Sequence, residues 1–121
     1  AYTYAKKSYD DGGQDNHYKA SLTLSIICCA ISEHEKGQDK INECRLAIRY
    51  ANEAVFSDFY QQNNTSLQLD LDAKQGKSHS GIQMVVNACN FIKQNSTDME
   101  DVEISESVLD RLHKLSLEKN S

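Results

Sequence analysis

Gly76-Lys77-Ser78 matches the closing residues of a phosphate-binding loop. Such a loop wraps phosphates with backbone N–H groups, and it needs an earlier glycine five residues before the second one. That position holds Leu71, and no convincing buried parallel strand precedes it. The segment therefore reads as a solvated loop. A small-ligand or nucleotide-binding bundle using Lys74, Lys77 and His79 stands as an alternative function.

The histidines are His17, His34, His79 and His113. His34 lies in the polar stretch Ser32-Glu-His-Glu-Lys36, and His79 stands between Ser78 and Ser80. A serine beside a histidine in sequence is not a dyad, because that chemistry needs a base, a group to orient it and an oxyanion site. All four read as surface histidines. The cysteines are Cys28, Cys29, Cys44 and Cys89. None has an evident activating base, and the CxxC and HxxxH pairs typical of zinc sites are missing. Three of the cysteines sit among apolar residues at helical spacing, the pattern of reduced core thiols in an intracellular protein. These observations predict no enzyme, no cofactor and no metal. The sequons at Asn63, Asn64 and Asn95 carry no weight without evidence of secretion.

Asp98, Glu100, Asp101, Glu103, Glu106 and Asp110 form an acidic run with no basic residue between positions 98 and 110. One reading is a solvated helix face with capping residues. The other is a docking surface for a basic peptide, whose encounter complementary charge would speed and orient.

These residues need a scaffold, and the composition points to one. The 121 residues suit a single domain spanning 1–121. Hydrophobic residues make up 39%, below the usual ~45–50% but arranged in long periodic segments. Proline is absent, which leaves helices free to run long. The net charge of −5, with basic residues scattered, argues against nucleic acid. No apolar run approaches the ~20 residues that span a membrane. The chain opens on Ala1 instead of methionine, which fits the start of an excised fragment. No signal peptide is visible, and the expected location is cytoplasmic.

Periodicity predicts an all-α domain: a four- to five-helix bundle with an irregular connector at about 63–81. Tyr2 to Asp10 reads as a short helix stopped by Gly12 and Gly13. A second helix, capped by Asp15 or Asn16, runs to about Glu35, with Leu22, Ile26, Cys29 and Ala30 facing the core and Leu24, Ile27 and Ile31 beside them. Leu22 to Ile26 also alternates like a strand, but the segment's length favours a helix. The clearest helix runs from about Asp39 to Gln62. Its stripe is Ile41, Cys44, Ile48, Ala51, Val55 and Phe59, widened by Leu46, Tyr50 and Ala54. So wide a stripe places it centrally. Arg49 and Glu53 are expected to pair across one turn. Leu67-Gln-Leu-Asp-Leu-Asp72 alternates and could be strand, connector or a helical turn. Ile82 to Lys93 and a last helix from Asp101 or Ser105 complete the chain. The last carries Ile104, Val108, Leu112 and Leu115, with acids early and bases late as the helix dipole favours.

Ala5-Lys-Lys-Ser-Tyr9, Tyr18-Lys-Ala20 and Arg49-Tyr-Ala-Asn-Glu-Ala54 resemble the small-and-aromatic pattern of tetratricopeptide hairpins and of the three-helix microtubule-interacting and trafficking domain. The resemblance covers about half the chain. The tight-packing glycine and closing proline of a tetratricopeptide repeat are absent, and the loop and last two helices lie outside one trafficking domain. It implies capture of an amphipathic helix or short peptide between helices.

The expected function is therefore an intracellular protein–protein interaction module, an adaptor or complex subunit. It would bind a partner helix or peptide in an inter-helix groove. Candidate contact residues are Tyr50, Phe56, Tyr60, Glu103, Glu106 and Asp110. A homo-oligomeric structural protein is the remaining alternative.

Overall fold

Helical spacing governs every described segment of the chain. The structure is a computed structural model that describes residues 2–57 and 81–120, with side chains for 3–13, 17–57 and 83–114. Its elements are α1 (Tyr2–Asp11), α2 (Gln14–Ser32), α3 (Gly37–Val55), α4 (Gly81–Asn95) and α5 (Met99–Asn120). The fold is an all-α bundle, as the periodicity predicts. Leu22 to Ile26 lies inside α2. The alternating segment Leu67 to Asp72, and the residues Lys74, Lys77 and His79, lie outside the described residues.

The central position of α3 follows from its composition. Cys44, Ala47, Ile48, Ala51, Ala54 and Val55 are buried, and α3 packs against α2, α4 and α5. Leu46 departs from the predicted stripe: 42% of it is exposed. The described helix ends at Val55, with Phe56 as its C-cap. The predicted extension to Gln62 falls from position 58 onward on residues outside the description. Arg111 Nε of α5 reaches the Val55 carbonyl at 3.3 Å, giving a terminal carbonyl a cationic donor.

The α2–α3 interface is made from small residues. Ser21 and Ser25 are fully buried, and their hydroxyls donate to the Tyr50 and Ala47 carbonyls of α3, each at 2.7 Å. Opposite them lie Ala47, Ala51 and Ala54. Small side chains let two helices approach closely, and a buried hydroxyl needs a partner to offset its desolvation. The serines shift the inward face of α2 away from the predicted line. Ala30 is exposed and Ile31 is 37% exposed, whereas Leu24 and Cys28 are fully buried.

Gly13 occupies the N-cap of α2 at φ 55°, replacing the expected Asp15 or Asn16. Gly37 opens α3 at φ 59°. Both need the left-handed conformation that glycine adopts without Cβ strain. On α5, Asp98 Oδ1 accepts the Glu100 N–H at 2.9 Å. This cap starts the helix at Met99, earlier than the apolar pattern suggests.

Candidate functional site

Three constellations among the described residues join different helices through polar or reactive groups. The first ties α3 to α5. Arg45 and Arg49 stand one turn apart on α3 and converge on Asp101, which is fully buried. Arg49 Nη2 lies 2.6 Å from Asp101 Oδ1, and Arg45 Nε lies 2.8 Å from Oδ2. The Arg45 contact is an ion pair whose N–H direction misses hydrogen-bond geometry. Ser96 Oγ donates to Oδ2 at 3.0 Å, and Arg45 Nη2 approaches Asp98 at 3.7 Å. Burial alone would raise the Asp101 carboxyl, but hydrogen bonds from Arg49 and Ser96 and the two guanidinium charges hold it below its ordinary value.

This geometry revises the docking reading of the acidic run. Asp101 is a buried internal counter-ion, and Asp98, though exposed, is engaged in capping the helix, so two of its six carboxylates already have intramolecular roles. It also revises the Arg49–Glu53 pair. Arg49 turns to Asp101 of α5, and Glu53 turns instead toward α1 and α2.

There Glu53 meets the second constellation. Tyr9 of α1 donates its hydroxyl to Glu53 Oε2 at 2.7 Å. His17 of α2 places Nε2 on Glu53 Oε1 and Nδ1 2.7 Å from the Tyr9 carbonyl. The His17 ring lies 4.1 Å from the Tyr9 ring between centroids, and Tyr50 meets Tyr9 edge-on at 5.4 Å. Burial would lower the His17 value, but the Tyr9 carbonyl and the Glu53 carboxylate raise it on balance. His17 is thus an inter-helix bridge and not the surface histidine expected, whereas His34 and His113 are exposed as expected. Burial and the Glu53 carboxylate push the Tyr9 hydroxyl strongly up, so it acts as a donor across ordinary pH.

The third constellation is a cleft of about 220 Å³ where α2, α3 and α4 meet. Its lining includes Cys29, Cys44, Met84, Ala88 and Phe91, with Glu33 and Lys40 at the edge. Lys40 Nζ sits 4.9 Å from the Phe91 ring centroid, a cation–π distance. The four cysteines are buried free thiols. Burial pushes Cys28 and Cys89 up to about 12 and raises Cys29 and Cys44 as well. Thiols so shifted are poor nucleophiles and poor ligands. Among the described residues, no group of three or more His, Cys, Asp or Glu is arranged to hold a metal ion. Nor is any described helix long and apolar enough to cross a membrane.

The candidate contact residues are dispersed. Tyr50 is half-buried against the core with Tyr9 on its edge. Phe56 is 41% exposed. Glu103, Glu106 and Asp110 are exposed on α5, where Asp110 pairs with Lys114 at 3.2 Å. Tyr60 lies outside the described residues. The cleft was hidden in sequence because Met84, Ala88 and Phe91 run beside the buried stripe of Val85, Cys89 and Ile92. Their own i, i+4, i+7 spacing is the signal that marks a second face on α4.

No family model matches the chain, and neither a curated protein nor a solved structure is similar to it.

Proposed function

We propose that the chain is a helical protein–protein interaction module, an adaptor or complex subunit, that seats an apolar side chain of a partner helix or short peptide in the cleft between α2, α3 and α4. The observation that carries this reading is the lining of the cleft. A thioether, an aromatic ring and small side chains surround a concave space, and groups of opposite charge stand at its edge. That composition suits the helix-in-groove mode, in which a few apolar anchors supply affinity and polar edges supply orientation. Methionine adapts its shape to the anchor it meets. The exposed carboxylates of Glu103, Glu106 and Asp110 favour a basic partner by steering its approach.

The test is a panel of basic amphipathic peptides carrying a single leucine or phenylalanine anchor, titrated into labelled protein and followed by NMR. Binding should move the Met84, Ala88 and Phe91 signals. Asn87→Trp, at an exposed position lining the cleft, should weaken binding by roughly tenfold or more, the size of effect expected when an anchor pocket is lost. Shifts confined to other surfaces, silence across the panel, or unchanged affinity in Asn87→Trp would each overturn the proposal.

A further inference from the structure

Among the described side chains of the first helix, few apolar ones are buried. Within α1, Ala5 is buried, while Tyr4 is 78% exposed and Lys7, Asp10 and Asp11 are exposed. Ten residues are too few for a stable isolated helix in water, where about 12–15 are already marginal. The segment therefore depends on what docks it.

That docking runs through His17. Nδ1 faces the Tyr9 carbonyl and Nε2 faces the Glu53 carboxylate. Both partners are acceptors, so both ring nitrogens must carry protons. Only the imidazolium provides two N–H donors; neutral imidazole has one donor and one lone pair. In either neutral tautomer a lone pair would point at an oxygen, and either the Tyr9 carbonyl or Glu53 would lose its donor. The surrounding groups favour the cation. Glu53 approaches from α3, and Asp10 adds negative charge from α1. The Tyr9 hydroxyl, pushed up by burial and by Glu53, stays neutral near pH 7. Lys6, an opposing charge, lies over the Tyr9 ring at 4.8 Å and also pairs with Asp10 at 3.6 Å.

We propose that α1 is a proton-locked strap: protonated His17 fastens it across α2 and α3 through the Tyr9 carbonyl and Glu53, and loss of that proton releases it at the Gly12-Gly13 junction. The sign follows from linkage. The docked state raises the affinity of His17 for its proton, so docking is strongest below the free histidine value of about 6.5 and weakens as pH rises through the higher docked value. The opening constant of α1 rises by at most roughly tenfold per pH unit across that window. Release uncovers the edge of Tyr50 and leaves the α2–α5 core in place.

Two readouts on the full chain test the strap between pH 5.5 and 8.5. NMR follows the ring signals of His17, His34 and His113. The α1 amide shifts report docking directly, without the pH dependence of exchange chemistry. The expected result is that α1 shifts move toward coil values with the His17 titration and not with His34 or His113. His17→Gln, which retains one donor, should remove the pH dependence, as should Glu53→Gln, which retains an acceptor for Tyr9 without the negative charge. The proposal is overturned if α1 stays equally docked across the range, or if either variant keeps the wild-type pH profile. It is also overturned if the helices from 14 onward loosen together with α1, since that would be global unfolding and not release of a strap.

Discussion

Arg49 and Asp101, 52 positions apart in sequence, meet at 2.6 Å across the α3–α5 interface. The carboxylate is fully buried, whereas the guanidinium keeps 35% of its side chain exposed. The acid is thus the member of the pair that cannot find water if its partners leave. Removing one partner of a buried ion pair is costlier than the pair is worth, because the remaining charge stays desolvated.

Asp101→Asn keeps the side-chain shape and removes the charge. Loss of a buried counter-ion costs about 3–5 kcal/mol, and partial exposure of Arg45 and Arg49 reduces this to about 2–4 kcal/mol. Urea unfolding followed by circular dichroism measures it; a loss below about 0.5 kcal/mol would place the cluster with ordinary surface pairs. Because the Asp101 carboxyl is held low, its contribution is complete above the free carboxyl value of about 3.9 and disappears as pH falls through the lower folded value. The wild-type protein should therefore lose this increment only in strong acid, and the variant should lack it at every pH.

Ser25 distinguishes hydrogen bonding from close approach at the α2–α3 contact. Ser25→Ala removes the donor to a carbonyl within α3 and should cost about 0.5–1.5 kcal/mol. Ser25→Leu must push the helices apart and should cost about 1–3 kcal/mol or more through overpacking. Paired thermal melts give the ordering. Equal losses in the two variants would mean that the helices have room to spare at this position.

The buried thiols should be silent in the native state. At pH 8, a disulfide reagent such as dithiobis-nitrobenzoate should label Cys28, Cys29, Cys44 and Cys89 slowly, and all four should react at once in denaturant. Thiolate fraction and access both limit the rate. Rapid native labelling of Cys29 or Cys44 would show that the cleft opens far enough to admit the reagent.

Periodic apolar residues made much of this bundle legible. Ile48, Val55, Val85, Cys89, Ile92, Val108 and Leu112 are all buried, as their spacing in the sequence predicts. What escaped were polar residues turned inward. Ser21, Ser25 and Asp101 are fully buried, yet composition assigns such residues to the surface. Their burial depends on partners 22 to 52 positions away, and no local pattern encodes that distance. Arg45 and Arg49 stand at i, i+4 and converge on Asp101, but a solvated helix face has the same spacing. Glu53 shows the same limit: an i, i+4 neighbour was available in Arg49, and distant groups from α1 and α2 won it instead. The cleft was illegible for a different reason, since a concavity belongs to three helices and to none of them alone.

The position of α3 has a consequence for how the chain assembles. Its contacts with α2 span a short turn at Gly37, so that hairpin closes a small loop. The same is true of α4 and α5, joined at 96–98. The contacts from α3 to α4 and α5 instead enclose the whole stretch between them, and their entropic cost is set by that larger ring. Two local hairpins thus have the fastest closures available to them, and their meeting across α3 is the slow, long-range event. The Arg45–Arg49–Asp101 cluster lies at that meeting surface, so it belongs to the long-range closure and to neither hairpin.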